Sequence, residues 1–229
     1  MDILQAIESR HSVRDYTHQI IRTETAERLQ AQIDACNQEG SLHIQMVLRH
    51  PEAFEGLLAR YGQFHNVHHY ICLVGRQPGL EERIGYYGER IALTAQQLGL
   101  NTCWVGLTYS RRKAQCIIEP GEKLVCVLAL GYGATAGKPH RSKPISSLCR
   151  VEGPMPAWFR RGMEAALLAP TAMNQQKFCF TLKGNEVTAE AGWGPYTQVD
   201  LGIAKYHFEC GAGSGRFRWH QPQCRSGRT

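Results

Sequence analysis

The 229-residue sequence lacks the usual short signatures of nucleotide and ester chemistry. It has no GxGxxG after a first strand, no GxxxxGK[ST] and no GxSxG. These absences remove a Rossmann fingerprint, a P-loop and a hydrolase nucleophile elbow. Nine cysteines include no CxxC pair, so zinc clips and redox dithiols lose their spacing signature and a scattered, reduced set is expected. No apolar run approaches the ~20 residues that cross a bilayer. The first twenty residues carry charges throughout and no apolar segment, so no secretory leader is read. A cytoplasmic protein without a membrane partner is the expectation. The formal charge is +6, but its basic residues fall into separate knots such as Arg111-Arg112-Lys113 and Arg160-Arg161. A nucleic-acid partner would want a continuous basic face with stacking aromatics, and none is expected. His65, His68 and His69 have no acidic or cysteine neighbours at ligand spacing, and the paired Glu-x-x-His motifs of a diiron site are missing, so no metal is expected.

What is present reads as a globular chain, 43% hydrophobic and long enough to bury a core. Helices are expected over Met1–Glu8, from Thr23 (as cap) to about Cys36, Pro51–Arg60, Glu81–Leu98, Pro156–Leu168 and Asp200–Cys210. In Glu81–Leu98, the longest of these patterns, Ile84, Tyr87, Ile91, Ala95 and Leu98 recur on one face. Strands are expected over Leu42–Leu48, Tyr70–Val74, Asn101–Val105, Leu124–Leu130 and Phe178–Leu182, with Gly184-Asn185 turning the last one back. GATAGKPHRSKP (133–144) reads as an unpacked arm. Helices and strands interspersed in this way support a layered α+β or α/β protein.

Three stretches carry candidate chemistry. In SRHSVRDY, the residues Arg10, Ser12 and Arg14 alternate, so an extended backbone turns all three to one side, where they suit an anion. A solvated basic loop is the alternative. Arg141 and Lys143 repeat that spacing beside His140. In APTAMNQQKF, the carboxamides of Asn174, Gln175 and Gln176 suit the edge of a heterocycle, or equally the satisfaction of a loop.

AIESRHSVRDY, IGYYGERIALTAQQLGLNTCWVG, LALGYG, HRSKPISSL, AALLAPTAMNQQKFCFTL and VDLGIAKYHFE together resemble the FMN-dependent nitroreductase superfamily, in the branch first grouped around a Thermotoga protein. The resemblance spans the chain to about Trp219. It implies a three-layer α+β fold, a central mainly antiparallel sheet flanked by helices, in a single FMN-binding domain over 1–219. Two pseudo-halves (1–150 and 151–219) and a flexible tail (220–229) are further expectations.

The resemblance also implies the site. Arg10, His11, Ser12 and Arg14 would clamp FMN, with Arg14 tuning the pyrimidine side of the ring. Arg141 and Lys143 would complete the phosphate site. Trp104, Val105 and Gly106 would bring backbone near the ring, and Pro170, Thr171, Ala172, Asn174 and Gln176 would lie beside it. The implied function is electron transfer from NADH or NADPH through FMN to a nitroaromatic, quinone or similar small acceptor, in a homodimer. A flavin-storage protein, or a flavoenzyme with other chemistry such as reductive dehalogenation, is the alternative. Tyr61, Phe64, Tyr86 and Tyr87 are candidate acceptor contacts, and Arg111 and Arg112 candidate contacts for the nicotinamide phosphates.

Overall fold

A computed structural model describes residues 1–220. The chain opens on α1 (Ile3–Ser9), set by a capping box: Gln5 N–H donates to Asp2 at 2.9 Å, and Asp2 N–H donates to the Gln5 side chain at 3.0 Å. The backbone turns extended at Arg10, and Val13 N–H donates to Thr102 O at 3.1 Å. The SRHSVR stretch therefore runs beside a strand, the geometry in which alternate residues share a side.

Helix α2 (Thr23–Gly40) begins with Thr23 inside its first turn and Arg22 at the cap, and it outlasts the expected end at Cys36. The first sheet follows: β1 (Gln45–Leu48), β2 (His69–Arg76), β3 (Asn101–Val105) and β4 (Glu122–Gly131), in the order β1-β2-β4-β3, antiparallel throughout. β1 is shorter than the expected strand because the Asn37 side chain, bonded to both the N–H and the C=O of Ile44, replaces ladder bonds there. The helix expected over Pro51–Arg60 is broken. A 3₁₀ turn, Pro51–Phe54, and α3 (Leu57–Tyr61) are separated at Gly56, whose φ of +132° no helix accepts.

The central strands are buried on both faces. Ile71, Leu73, Leu128 and Leu130 pack with Leu29 and Ile33 of α2 and with Ile84 and Ile91 of α4 (Leu80–Gln97). Tyr70, Cys72, Val74, Val127 and Ala129 pack on the other side with Phe54, Phe64 and Tyr109. The two-residue period of the strands sorts these side chains into two clusters.

Beyond the arm come β5 (Cys149–Val151), α5 (Ala157–Ala166), β6 (Phe178–Lys183), β7 (Glu186–Ala191), α6 (Thr197–Ala212) and β8 (Arg218–Trp219). The expected mainly antiparallel sheet is thus joined by a second, mixed one, β5-β6-β7-β8, whose outer strands pair in parallel. The glycine- and arginine-rich end is partly packed: Phe217 stacks on Trp158 with ring centroids 5.7 Å apart. Of the expected tail, 220–229, only His220 is described, its N–H donating to Val187 O at 2.9 Å; the rest lies outside the described residues.

Helices α4 and α6 cross backbone to backbone. A Cβ on Gly85 would sit 2.0 Å from Val199 O, and one on Gly202 would sit 2.0 Å from Glu82 O. The contact is reciprocal: Gly85 also meets Ile203 N, and Gly202 meets Tyr86 N. The small residues of α4 thus serve close helix packing, with Gly88 instead facing the Trp104 ring. Among the described residues no helix is long and apolar enough to cross a membrane.

Candidate functional site

Two adjoining cavities lie between the first sheet, the 170–176 loop and α6. The first, of about 640 Å³, is walled by Trp104–Thr108 at the end of β3, by Tyr61–Phe64, by Pro170–Met173 and by Tyr196, Val199, Asp200 and Ile203. The second, of about 820 Å³, is basic: Arg10, His11, Arg14, His65, Lys138 and His140 line it against one acid, Asp15. Ser12, Arg14, Gln63, Pro170, Thr171 and Met173 border both. The pair forms one trough with an aromatic, mainly apolar end and a cationic end, a shape that suits a flat ring bearing an anionic tail.

Arg10 closes the cationic end. It is 3% exposed, and neither Nε nor Nη1 has a hydrogen-bond partner. Its nearest counter-charge is Glu89 Oε1, 3.4 Å from Nε. Buried donors left unpaired cost about 1–3 kcal/mol, more for a charged group, so this guanidinium is poised for an acceptor. Arg14 is exposed and lies over the Phe64 ring, 5.8 Å from its centroid.

Glu89 is fully buried at the centre of a network. His207 Nε2 lies 2.9 Å from Oε1, and Trp104 Nε1 donates to Oε2 at 2.8 Å. Burial pushes the Glu89 carboxyl up, but the His207 hydrogen bond and the Arg10 charge outweigh it and hold the group below the usual carboxylate range. In the apolar end, burial raises Asp200 to about 6 and the Cys126 thiol to about 12. Asp200 is tied to the loop: it accepts from Ala172 N–H at 2.9 Å and from Gln175 Nε2 at 2.7 Å.

The 170–176 loop holds Met173, Asn174 and Gln176 at φ of +51°, +53° and +44°, a left-handed conformation costly for residues other than glycine. Gln176 fixes it to the arm. Its Nε2 donates to Arg141 O at 2.9 Å, and its Oε1 accepts from Lys143 N–H at 2.8 Å. Lys143 Nζ donates to Gln175 O at 2.8 Å.

Most of the site residues expected from sequence meet here. Arg10, His11, Ser12, Arg14, Trp104, Val105, Gly106, Pro170, Thr171, Ala172 and Asn174 line one or both cavities. Arg141, Lys143 and Gln176 do not; Lys138 and His140 take the cavity-facing places of the arm. Tyr61 and Phe64 line the trough, whereas Tyr86 bonds Glu209 and Tyr87 packs on Gly40. Arg111 is spent on the carbonyls of Leu124 and Val125. Burial pushes His69 down to about 4, and its Nδ1 accepts from Arg49 N–H. Among the described residues no three His, Cys, Asp or Glu side chains group to hold a metal. Sequence reasoning missed Tyr196, Asp200 and His207. A carboxylate at 89, one turn from Gly85, Ala92 and Leu93 and off the stripe of Ile84, Ile91 and Ala95, was the signal available for the network.

No curated protein matches the chain. Among solved structures it is similar to one described as a putative nitroreductase from Thermotoga maritima, with TM-score 0.65 and 24% identity over 91% of this chain and 82% of that one. A putative nitroreductase in complex with FMN from Desulfovibrio desulfuricans matches with TM-score 0.53 and 21% identity, over 68% of this chain and 99% of that one. A protein from Parabacteroides distasonis, described as a putative NADH dehydrogenase/NAD(P)H nitroreductase, matches with TM-score 0.51 and 17% identity, over 64% and 95%. The family model described as "Putative TM nitroreductase" matches residues 2–212, and the chain belongs to that family.

Proposed function

We propose that this chain is an FMN-dependent oxidoreductase that passes electrons from NADH or NADPH to a small conjugated acceptor such as a nitroaromatic or a quinone. The observation that carries the reading is the Arg10 guanidinium, buried with unpaired donors at the wall of a basic cavity that opens into an aromatic chamber. Family membership supports it, as do the FMN and NAD(P)H in the descriptions of two structural neighbours.

In this reading Arg10, His11 and Ser12 meet the phosphate, helped by Lys138 and His140. Trp104–Gly106 and Pro170–Ala172 wall the ring, and Asn174 stands at the loop between them. Gln176, Arg141 and Lys143 act by fixing the arm against the loop. FMN, when bound, supplies the two-electron chemistry. Arg14, which lines both cavities, would offer a cation to the bound group, and the exposed rim at Tyr61, Leu107 and Met173 would leave the chamber open to small molecules. Burial keeps the Cys126 thiol protonated, so it offers no competing nucleophile.

The chain forms one domain of two halves, and both supply the trough, so a homodimer is not needed to complete it. The test is to purify the protein, record a flavin spectrum and add NADH or NADPH without oxygen. Rapid bleaching, then recovery on adding a quinone, is the expected result. A colourless protein that FMN cannot reconstitute removes the reading, and bound flavin that neither nicotinamide reduces leaves a storage role.

A further inference from the structure

Glu89 connects the two ends of the trough from behind. Its Oε1 lies 3.4 Å from Arg10 Nε at the cationic end, and its Oε2 accepts from Trp104 Nε1 at 2.8 Å on the chamber wall. His207 holds the carboxylate from the far side: Nε2 lies 2.9 Å from Oε1, and Nδ1 lies 3.0 Å from Ala165 O on α5. Glu89 and His207 are wholly buried and line neither cavity, so neither can touch a ligand. A buried charged set of this kind stays ordered only when its members are mutually paired. Arg10 alone is left with spare donors, and it is the member on the cavity wall.

We propose that Glu89, oriented by His207, is the positioning residue of the cofactor site, fixing the Arg10 guanidinium toward the anion and the Trp104 ring beside the chamber. The inference rests on the FMN reading and adds to it the group that sets the geometry of both ends at once. A supporting shell of this sort determines how much of the intrinsic strength of a contacting side chain is realised.

The two arms can be read separately by titrating the apo-chain with FMN and with riboflavin, which lacks the phosphate, and following the flavin fluorescence. The ratio of the two affinities reports the Arg10 arm, and riboflavin alone reports the Trp104 arm. Arg10→Met should lower the preference for FMN about tenfold or more. Trp104→Phe should weaken both flavins alike and leave the preference unchanged. Glu89→Gln should weaken both and also lower the preference about fivefold. In the Arg10→Met background it should leave the preference unchanged within about twofold, because its route through Arg10 is gone.

Thermal melts check that each variant folds. If Glu89→Gln does not, His207→Gln, which keeps the carboxylate and one donor, should show the same drop in preference at reduced size. A preference that these variants leave at the wild-type value, or a drop that persists undiminished without Arg10, overturns the assignment. A wild-type chain that binds neither flavin overturns the FMN reading itself, and this inference with it.

Discussion

Asp200 shows how a single residue can tie the site to pH. Burial raises its carboxyl to about 6, above the ~3.9 of an unfolded chain. The folded state therefore binds the proton more tightly, so the associated stability is full below pH ~4 and lost as pH rises through 6. Two pKa units correspond to about 2–3 kcal/mol. Urea melts of wild type and Asp200→Asn across pH 4–7 should show the wild type losing about that much relative to the variant; parallel curves would refute it. Residue by residue, the RHSVR spacing was legible because an extended backbone fixes sidedness locally. The Arg141–Lys143 spacing was not, because Gln176, 33 or more positions away, sets which arm residues face the cavity. Asp200 and Tyr196 act through partners as distant as Ala172 and Gly106, which no window of sequence displays.

Among the elements, α4 and the 170–176 loop matter most. Helix α4 was legible nearly to its ends, since its apolar period and Gly99 are both local signals. That Gly85 answers Gly202 on α6 across one crossing was not, because the partner lies over a hundred positions on. Gly85→Ala and Gly202→Ala should each cost about 1–3 kcal/mol or more by overpacking, and the double variant should cost less than their sum, since both relieve one crossing. Denaturant melts of the three variants check this. The loop presents the opposite case. Its left-handed residues are maintained by Gln176, which is only 2% exposed. Gln176→Ala should release the arm, and trypsin should then cut after Arg141, the one Lys or Arg of the arm not followed by proline. Retention of wild-type resistance would show the arm to be anchored elsewhere.

At the scale of the whole molecule, the trough takes walls from residues 10–140 and from 170–203 of the same chain. Light scattering with flavin absorbance should therefore give one FMN per chain even where the protein is monomeric; half occupancy would refute a self-contained site. With formal charge +6 and the cations gathered at one end, FMN affinity should fall with added salt while riboflavin affinity holds. The layered class and most strands were legible from composition and period. Of the second sheet only the inner hairpin about Gly184-Asn185 was, because the outer strands are three and two residues long. The reciprocal crossing of α4 and α6 has the form of a two-fold contact. Two separate copies meeting this way would have to accept every substitution twice, once on each side of the axis. Here Glu82 answers Val199 and Tyr86 answers Ile203, so the two sides are encoded independently. One side can drift, or specialise around a single bound ring, without taxing the other.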